Sequence, residues 1–215
     1  MQSFVAFVSF VVENTSWESH ERMKLLQKAS FLIILCFCVG TTSIRAQEKP
    51  IDVTRSKIVV HVGKTGFFSM AGHEHQVSAP LKEGAINESS RGHVWFRVDA
   101  RLLTVMPEKD QAEVQATMQQ KVLESERFPE IRFESTAIQR LAPDHWKVEG
   151  NLTLHGQTRP VIADVHRAGS SYEGKSTIKQ TDFDIQPVSV AGGTVKVKDE
   201  LPIEFSIQPR QHTED

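Results

Sequence analysis

The sequence predicts an all-β protein, an antiparallel barrel with one helix inserted between its strands. Three observations carry that prediction. Apolar and polar residues alternate through most of residues 58–207, turn residues punctuate the alternating runs, and a single stretch near the middle has helical periodicity instead. Period-two alternation with one apolar face marks half-buried strands of an antiparallel sheet.

The runs follow in order. Ile58, Val60 and Val62 share a face against Val59 and His61. Val94, Phe96 and Val98 oppose His93, Trp95, Arg97 and Asp99. Trp146, Val148, Leu152 and Leu154 oppose Lys147, Glu149, Asn151, Thr153 and His155. Leu201, Ile203, Phe205 and Ile207 close the series. Turns are expected at Ala142-Pro143-Asp144, His155-Gly156-Gln157-Thr158, Ala168-Gly169-Ser170 and Ala191-Gly192-Gly193. Short strands at this spacing, with no room for parallel crossovers, favour a barrel or meander. Residues 108–123 contain no Gly or Pro, and Val114, Met118 and Val122 recur at helical spacing. They are expected to form one amphipathic helix, a flap over the barrel mouth, ending in a loop at Phe128-Pro129. Aromatic content is only 7%, with no girdle of rings at the strand ends. A small barrel has no interior room for so many charged side chains, so the apolar face is expected to point inward.

Charge and cysteine usage exclude several classes. The formal net charge is −2, so no global basic field draws nucleic acid. Both cysteines, Cys36 and Cys38, lie near the N-terminus, and everything after them is cysteine-free. The folded domain therefore has no disulfide, no thiolate metal site and no cysteine nucleophile.

Those cysteines sit in an export signal. Residues 23–46 read as a signal peptide: Lys24 and Lys28 make a basic start, residues 29–40 are apolar, and 41–46 turn small and polar up to Ala46. The apolar run is shorter than the about 20 residues of a membrane-spanning helix. No stable transmembrane segment is expected after cleavage, and no lipidation. Residues 1–22 do not fit this scheme and are read as an extension from a misplaced start, with Met23 as the true initiator. Residues 47–215 then form the mature domain, periplasmic or secreted.

Three blocks of the mature chain resemble one family. The first runs from Val122 to Phe133 and includes Phe128-Pro129. The second is Gly150-Asn151-Leu152-Thr153-Leu154-His155-Gly156-Gln157-Thr158-Arg159-Pro160-Val161, a strand, a tight turn and a basic residue before proline. The third is Gln180-Thr181-Asp182-Phe183-Asp184-Ile185. Together they resemble the YceI-like, polyisoprenoid-binding family, over roughly residues 51–207. The resemblance implies an extended, lipocalin-like antiparallel barrel of eight strands, exported, with an isoprenoid lipid in its interior. It carries over no catalytic motif, so an enzyme is not expected.

Pattern alone supplies the candidate lining residues. From the strands come Val60 and Val62, Phe96 and Val98, Phe133, Leu152 and Leu154, and Ile203 and Phe205. The helix adds Met118, and the stretch after the first run adds Phe67, Phe68 and Met70. Each is equally a core position when taken singly. The two methionines suit a branched chain because their side chains are flexible and polarizable. No cofactor is expected beyond a bound isoprenoid lipid or quinone; a homodimer is one open oligomeric state, which the sequence does not decide.

The pair His73 and His75 stands apart. At i and i+2 on an extended chain, the two side chains point the same way. Three readings remain open: a polar mouth that meets a ligand head, a pair satisfied by backbone groups, or a metal site. A catalytic zinc wants three protein ligands, and His61, Glu74 and His93 are possible extras, though nothing in the sequence places them close by. Ser69 and Ser78 lack a nucleophile elbow. Arg159 is expected to shape its hairpin, Asp182 and Asp184 to face outward from a strand, and Lys196 and Lys198 to be solvated. The functional alternatives are thus a lipid-binding module, a periplasmic metal-binding protein, and a hydrolase or isomerase acting on a lipid-like substrate.

Overall fold

Two long strands, each bent once, close the sheet into a ring. The computed structural model describes residues 48–65, 75–89, 92–106, 111–190 and 195–211, all within one compact unit, Ala46–Asp215. In chain order the strands are β1 (Glu48–Pro50), β2 (Lys57–Val62), β3 (Lys64–Thr65), β4 (His75–Ser78), β5 (Leu81–Asn87), β6 (His93–Asp99) and β7 (Thr104–Val105). After the helix come β8 (Glu130–Ala142), β9 (His145–Leu154), β10 (Gln157–Ala168), β11 (Ser171–Lys179), β12 (Ser189–Val190), β13 (Val195–Val197) and β14 (Glu200–Ile207).

β1 and β2 are two halves of one bent strand, and β4 and β5 are two halves of the next. β1 pairs with β5 and β2 with β4. The ladder carries through the bends, where Ile51 N donates to Gly84 O at 2.8 Å and Ala79 N to Ile58 O at 3.0 Å. From β5 the sheet passes in turn to β6, β8, β9, β10, β11 and β14, and β14 returns to β2. With each bent pair taken as one path, the ring has eight antiparallel strands, the number that the family resemblance implies. The first bend is a turn over residues 52–56, in which the Asp52 carboxylate accepts from the backbone N–H groups of Thr54 and Arg55. The second falls at Pro80, which has no N–H to give a ladder. A separate three-stranded sheet joins β12, β13 and β3.

The helix differs from its expected bounds. An α-helix, α1 (Gln111–Thr117), passes into a π-helical turn over Met118–Val122; residues 108–110 lie outside the described residues. Gln115 and Gln119 fix this unit to the chain after β6. Gln115 Nε2 donates to Leu103 O at 2.7 Å, Val105 N donates to Gln115 Oε1 at 2.8 Å, and Gln119 Nε2 donates to Ala100 O at 3.0 Å.

One expectation is corrected. Asp182 and Asp184 are not outward strand positions. β11 ends at Lys179, residues Gln180–Phe183 form a 3-10 turn, and Asp184 is left-handed with φ 57°. The cause is hydrogen bonding to the segment between β13 and β14, 18 residues further along the chain. The Asp199 carboxylate accepts from Thr181 N and Thr181 Oγ1, and Gln180 Nε2 donates to Lys198 O at 2.8 Å. The turn drives Phe183 into the interior, where it is 1% exposed.

Two inward phenylalanines lie against glycines of a neighbouring strand. A Cβ on Gly150 would meet the Phe133 ring at 2.4 Å, and one on Gly174 would meet the Phe205 ring at 2.5 Å. Both sites also crowd a backbone carbonyl, Glu134 O and Asp164 O respectively. Gly150→Ala and Gly174→Ala are each expected to destabilise the barrel by about 1–3 kcal/mol, the usual cost of overpacking. Urea unfolding of each variant checks this; a midpoint equal to that of the parent protein refutes it.

Candidate functional site

The barrel encloses a cavity of about 1010 Å³. Its wall follows from alternation. Ile58, Val60 and Val62 come from β2; Val94, Phe96 and Val98 from β6; Ala163 and Val165 from β10; Leu201, Ile203, Phe205 and Ile207 from β14. Phe96 and Phe133 stack across β6 and β8 with centroids 5.2 Å apart.

Val60, Val62, Phe96, Val98, Met118, Phe133, Leu152, Leu154, Ile203 and Phe205 all line this cavity. Phe67, Phe68, Met70 and His73 lie outside the described residues. His75 is on β4, opposite Val62, and lines the cavity, as does Lys64 of β3. Of the further candidates, Glu74 lies outside the described residues, His61 is one register position away on β2 but on the other face of the sheet, and His93 is on β6. His61 Nε2 is 3.5 Å from a Glu204 carboxylate oxygen, and His93 sits between Glu48 and Glu134. Among the described residues, no group of three or more His, Cys, Asp or Glu side chains is placed to hold a metal ion.

The two ends of the barrel differ. At the α1 end, the turn between β9 and β10 has His155 and Gly156 in left-handed conformations, φ 50° and 75°, as a tight two-residue hairpin requires. Phe128 packs on the His155 ring at 4.3 Å between centroids, His155 Nε2 lies 3.4 Å from Glu124 Oε1, and His155 Nδ1 hydrogen-bonds the Phe183 carbonyl at 3.2 Å. All three resembling blocks of sequence therefore meet at one point.

At the other end, polar residues absent from the sequence-based candidates join the lining: Asn87, Glu88, Arg140, Asp144, Arg167 and Tyr172. Tyr172 Oη donates to Glu88 Oε1 at 2.8 Å, and Lys49 Nζ donates to the other Glu88 oxygen. Trp146 meets Tyr172 edge-on at 5.8 Å, and the Arg167 guanidinium lies 5.7 Å from the Tyr172 ring centre. Burial, and then the Glu88 hydrogen bond, push the Tyr172 phenol up to about 12. The Lys49 ammonium, above all, holds Glu88 below the usual carboxylate range. Arg167 was legible in principle, because it continues the inward series Ala163, Val165. Arg140 was not, because β8 has irregular register between Ser135 and Ala137, and such a bulge switches which parity faces inward.

A sequence profile of the YceI-like domain matches residues 50–209. UPF0312 proteins of Pseudomonas savastanoi pv. phaseolicola and Pseudomonas syringae pv. syringae are each 33% identical over 76 residues, covering 30% of this chain and 38% of theirs. The chain thus spans well under half the length of these curated relatives. Among solved structures, BcnA of Burkholderia cenocepacia superposes with a TM-score of 0.50 at 19% identity, over 73% of this chain and 98% of its own. A polyisoprenoid binding domain from Saccharophagus degradans, implicated in plant cell wall breakdown, gives 0.51 at 14% identity, over 76% and 100%. At these identities the likeness to solved structures is one of fold.

Tyr172 is the only tyrosine in the chain, so its ionisation has an unambiguous optical signal. The phenolate absorbance is expected to titrate near 12 rather than 10, and Glu88→Gln is expected to lower that midpoint. The raised value means that the stabilisation tied to the neutral phenol is complete below pH 10 and disappears as pH rises through about 12. A midpoint at 10 in the folded protein contradicts the Tyr172–Glu88 pairing.

Proposed function

The chain belongs to the YceI-like domain family, and on that premise we propose that it binds an isoprenoid-type lipid, with a polyprenyl or quinone tail, inside its barrel. The task of such a protein is carriage, storage or sequestration. The observation that supports this is the cavity, about 1010 Å³ in volume and walled along the strands by aliphatic and aromatic side chains. That volume is at the upper end for small-molecule sites and suits a long tail. A polyisoprenoid offers many branched carbons and few polar atoms. At about 0.8 kcal/mol for each buried methylene-sized unit, the tail is held without a hydrogen bond. The fold neighbour described as a polyisoprenoid binding domain lends the same reading support. The role is that of a binding protein, with no covalent step.

We further propose that the protein works outside the cytoplasm, in the periplasm or secreted, with residues 23–46 removed. The basic, apolar and small-residue order of that segment supports export. N-terminal sequencing of protein recovered from a bacterial host carrying the full reading frame is expected to begin at Gln47.

Native mass spectrometry of gently purified protein tests the lipid. A co-purifying adduct that releases a polyprenyl or quinone species is expected. Ala163→Phe, which projects a ring into the cavity from β10, should cut occupancy by roughly tenfold or more, since it excludes several tail carbons at about 0.8 kcal/mol each. A bare chain that takes up no isoprenoid on incubation refutes the reading.

A further inference from the structure

At one end of the cavity the inward series on two strands change from apolar to cationic. On β8, Ile138 is followed two residues later by Arg140; on β10, Ala163 and Val165 are followed by Arg167, and all five residues line the cavity. Trp146 of β9 stands between them, paired in register with Arg140 on one side and Val165 on the other. With strands about 4.8 Å apart and about 6.8 Å per two residues, the Cα atoms of the two arginines are about 12 Å apart. Two extended arginine side chains span that distance from opposite sides.

Their guanidinium groups are little used within the protein. Arg140 Nε donates to Ala142 O at 3.3 Å and Arg167 Nε to Gly169 O at 3.2 Å. Among the described residues neither forms an ion pair. By contrast Arg97 pairs with Glu83, Arg101 with Asp99 and Arg127 with Glu124. Two carboxylates share the rim. Glu88 is already engaged by Lys49 and Tyr172, which leaves Asp144 against two guanidinium groups. The free charge at this mouth is positive, and both arginines are exposed, so an incoming ligand meets them without a buried-charge penalty.

The geometry points to a head-group site at this mouth, in which Arg140 and Arg167 take a phosphate or diphosphate ester whose apolar tail fills the barrel. A guanidinium fork matches phosphate oxygens in pairs, with charge-assisted hydrogen bonds. Tyr172 and Trp146 supply the apolar collar where head becomes tail. This assignment rests on the lipid-binding reading above, and it narrows the ligand to an anionic-headed isoprenoid bound with its head at the β8–β9 and β10–β11 turns.

The test compares a polyprenyl phosphate with the polyprenol of the same chain length, each titrated into full-length protein, with the ratio of the two affinities as readout. The parent protein is expected to favour the phosphate by about tenfold or more. In Arg140→Gln/Arg167→Gln, with an unchanged melting temperature, that ratio should fall close to one. A ratio near one in the parent protein overturns the assignment. So does a preference that survives the double substitution, which would put the head at the opposite end beside Lys64. A quinone of equal tail length that outcompetes the phosphate with no dependence on the arginines overturns it in favour of a neutral aromatic head. Inorganic diphosphate that binds as tightly as the ester makes the rim a free-anion site and likewise overturns it. If neither the phosphate nor the alcohol binds, the lipid reading itself fails and this assignment falls with it.

Discussion

An eight-stranded barrel is only just wide enough for its own side chains to fill it, so an open lumen needs a specific cause. Here the cause is the seating of large rings against bare backbone. Phe133 lies where a side chain of residue 150 would stand, and Phe205 lies where one of residue 174 would stand. Each ring thus takes its room from the wall instead of from the axis. The remaining inward positions are mostly Val, Ile, Leu and Ala, which reach less far. Cavity volume, apolar wall and capacity for a long ligand all depend on that arrangement. Phe96, stacked on Phe133, extends it to a third strand.

The ends of the barrel divide the remaining work. One end is secured by contacts between segments distant in sequence: Phe128 on His155, His155 on the Phe183 carbonyl, and the two glutamines of the α1 unit on the chain after β6. The other end carries hairpin turns and exposed charge. Long-range tethering and exposed charge thus lie at opposite ends of the same sheet.

Much of this was legible in the sequence, and the failures have definite causes. Strict alternation at Ile58-Val60-Val62 and Leu201-Ile203-Phe205-Ile207 gives the inward faces directly, because the pleat enforces period two. The phase of β8 was hidden because a bulge changes parity mid-strand without a mark such as Gly or Pro. The Asp182-Phe183-Asp184 stretch imitates strand alternation, although the carboxylate of Asp199, seventeen residues after Asp182, folds the chain there into a turn. Gln115 and Gln119 read as an ordinary polar helix face, and only the fold places backbone carbonyls beneath them. The stretch holding Phe67, Phe68, Met70 and His73 lies outside the described residues, so its part in the lining stays at the level of pattern.

Closure of the ring also sets when the protein is able to fold. β14 lies beside β2, and Gln208 N donates to Ser56 Oγ across 152 residues of chain. No closed barrel exists until the last strand has been made and delivered to the first. Long-range pairing of this kind makes folding slow. A chain still lacking its C-terminal strand presents two open sheet edges, those of β11 and β2, and an uncovered apolar face. The pairing that seals the barrel is thus also the step for which every earlier strand must wait.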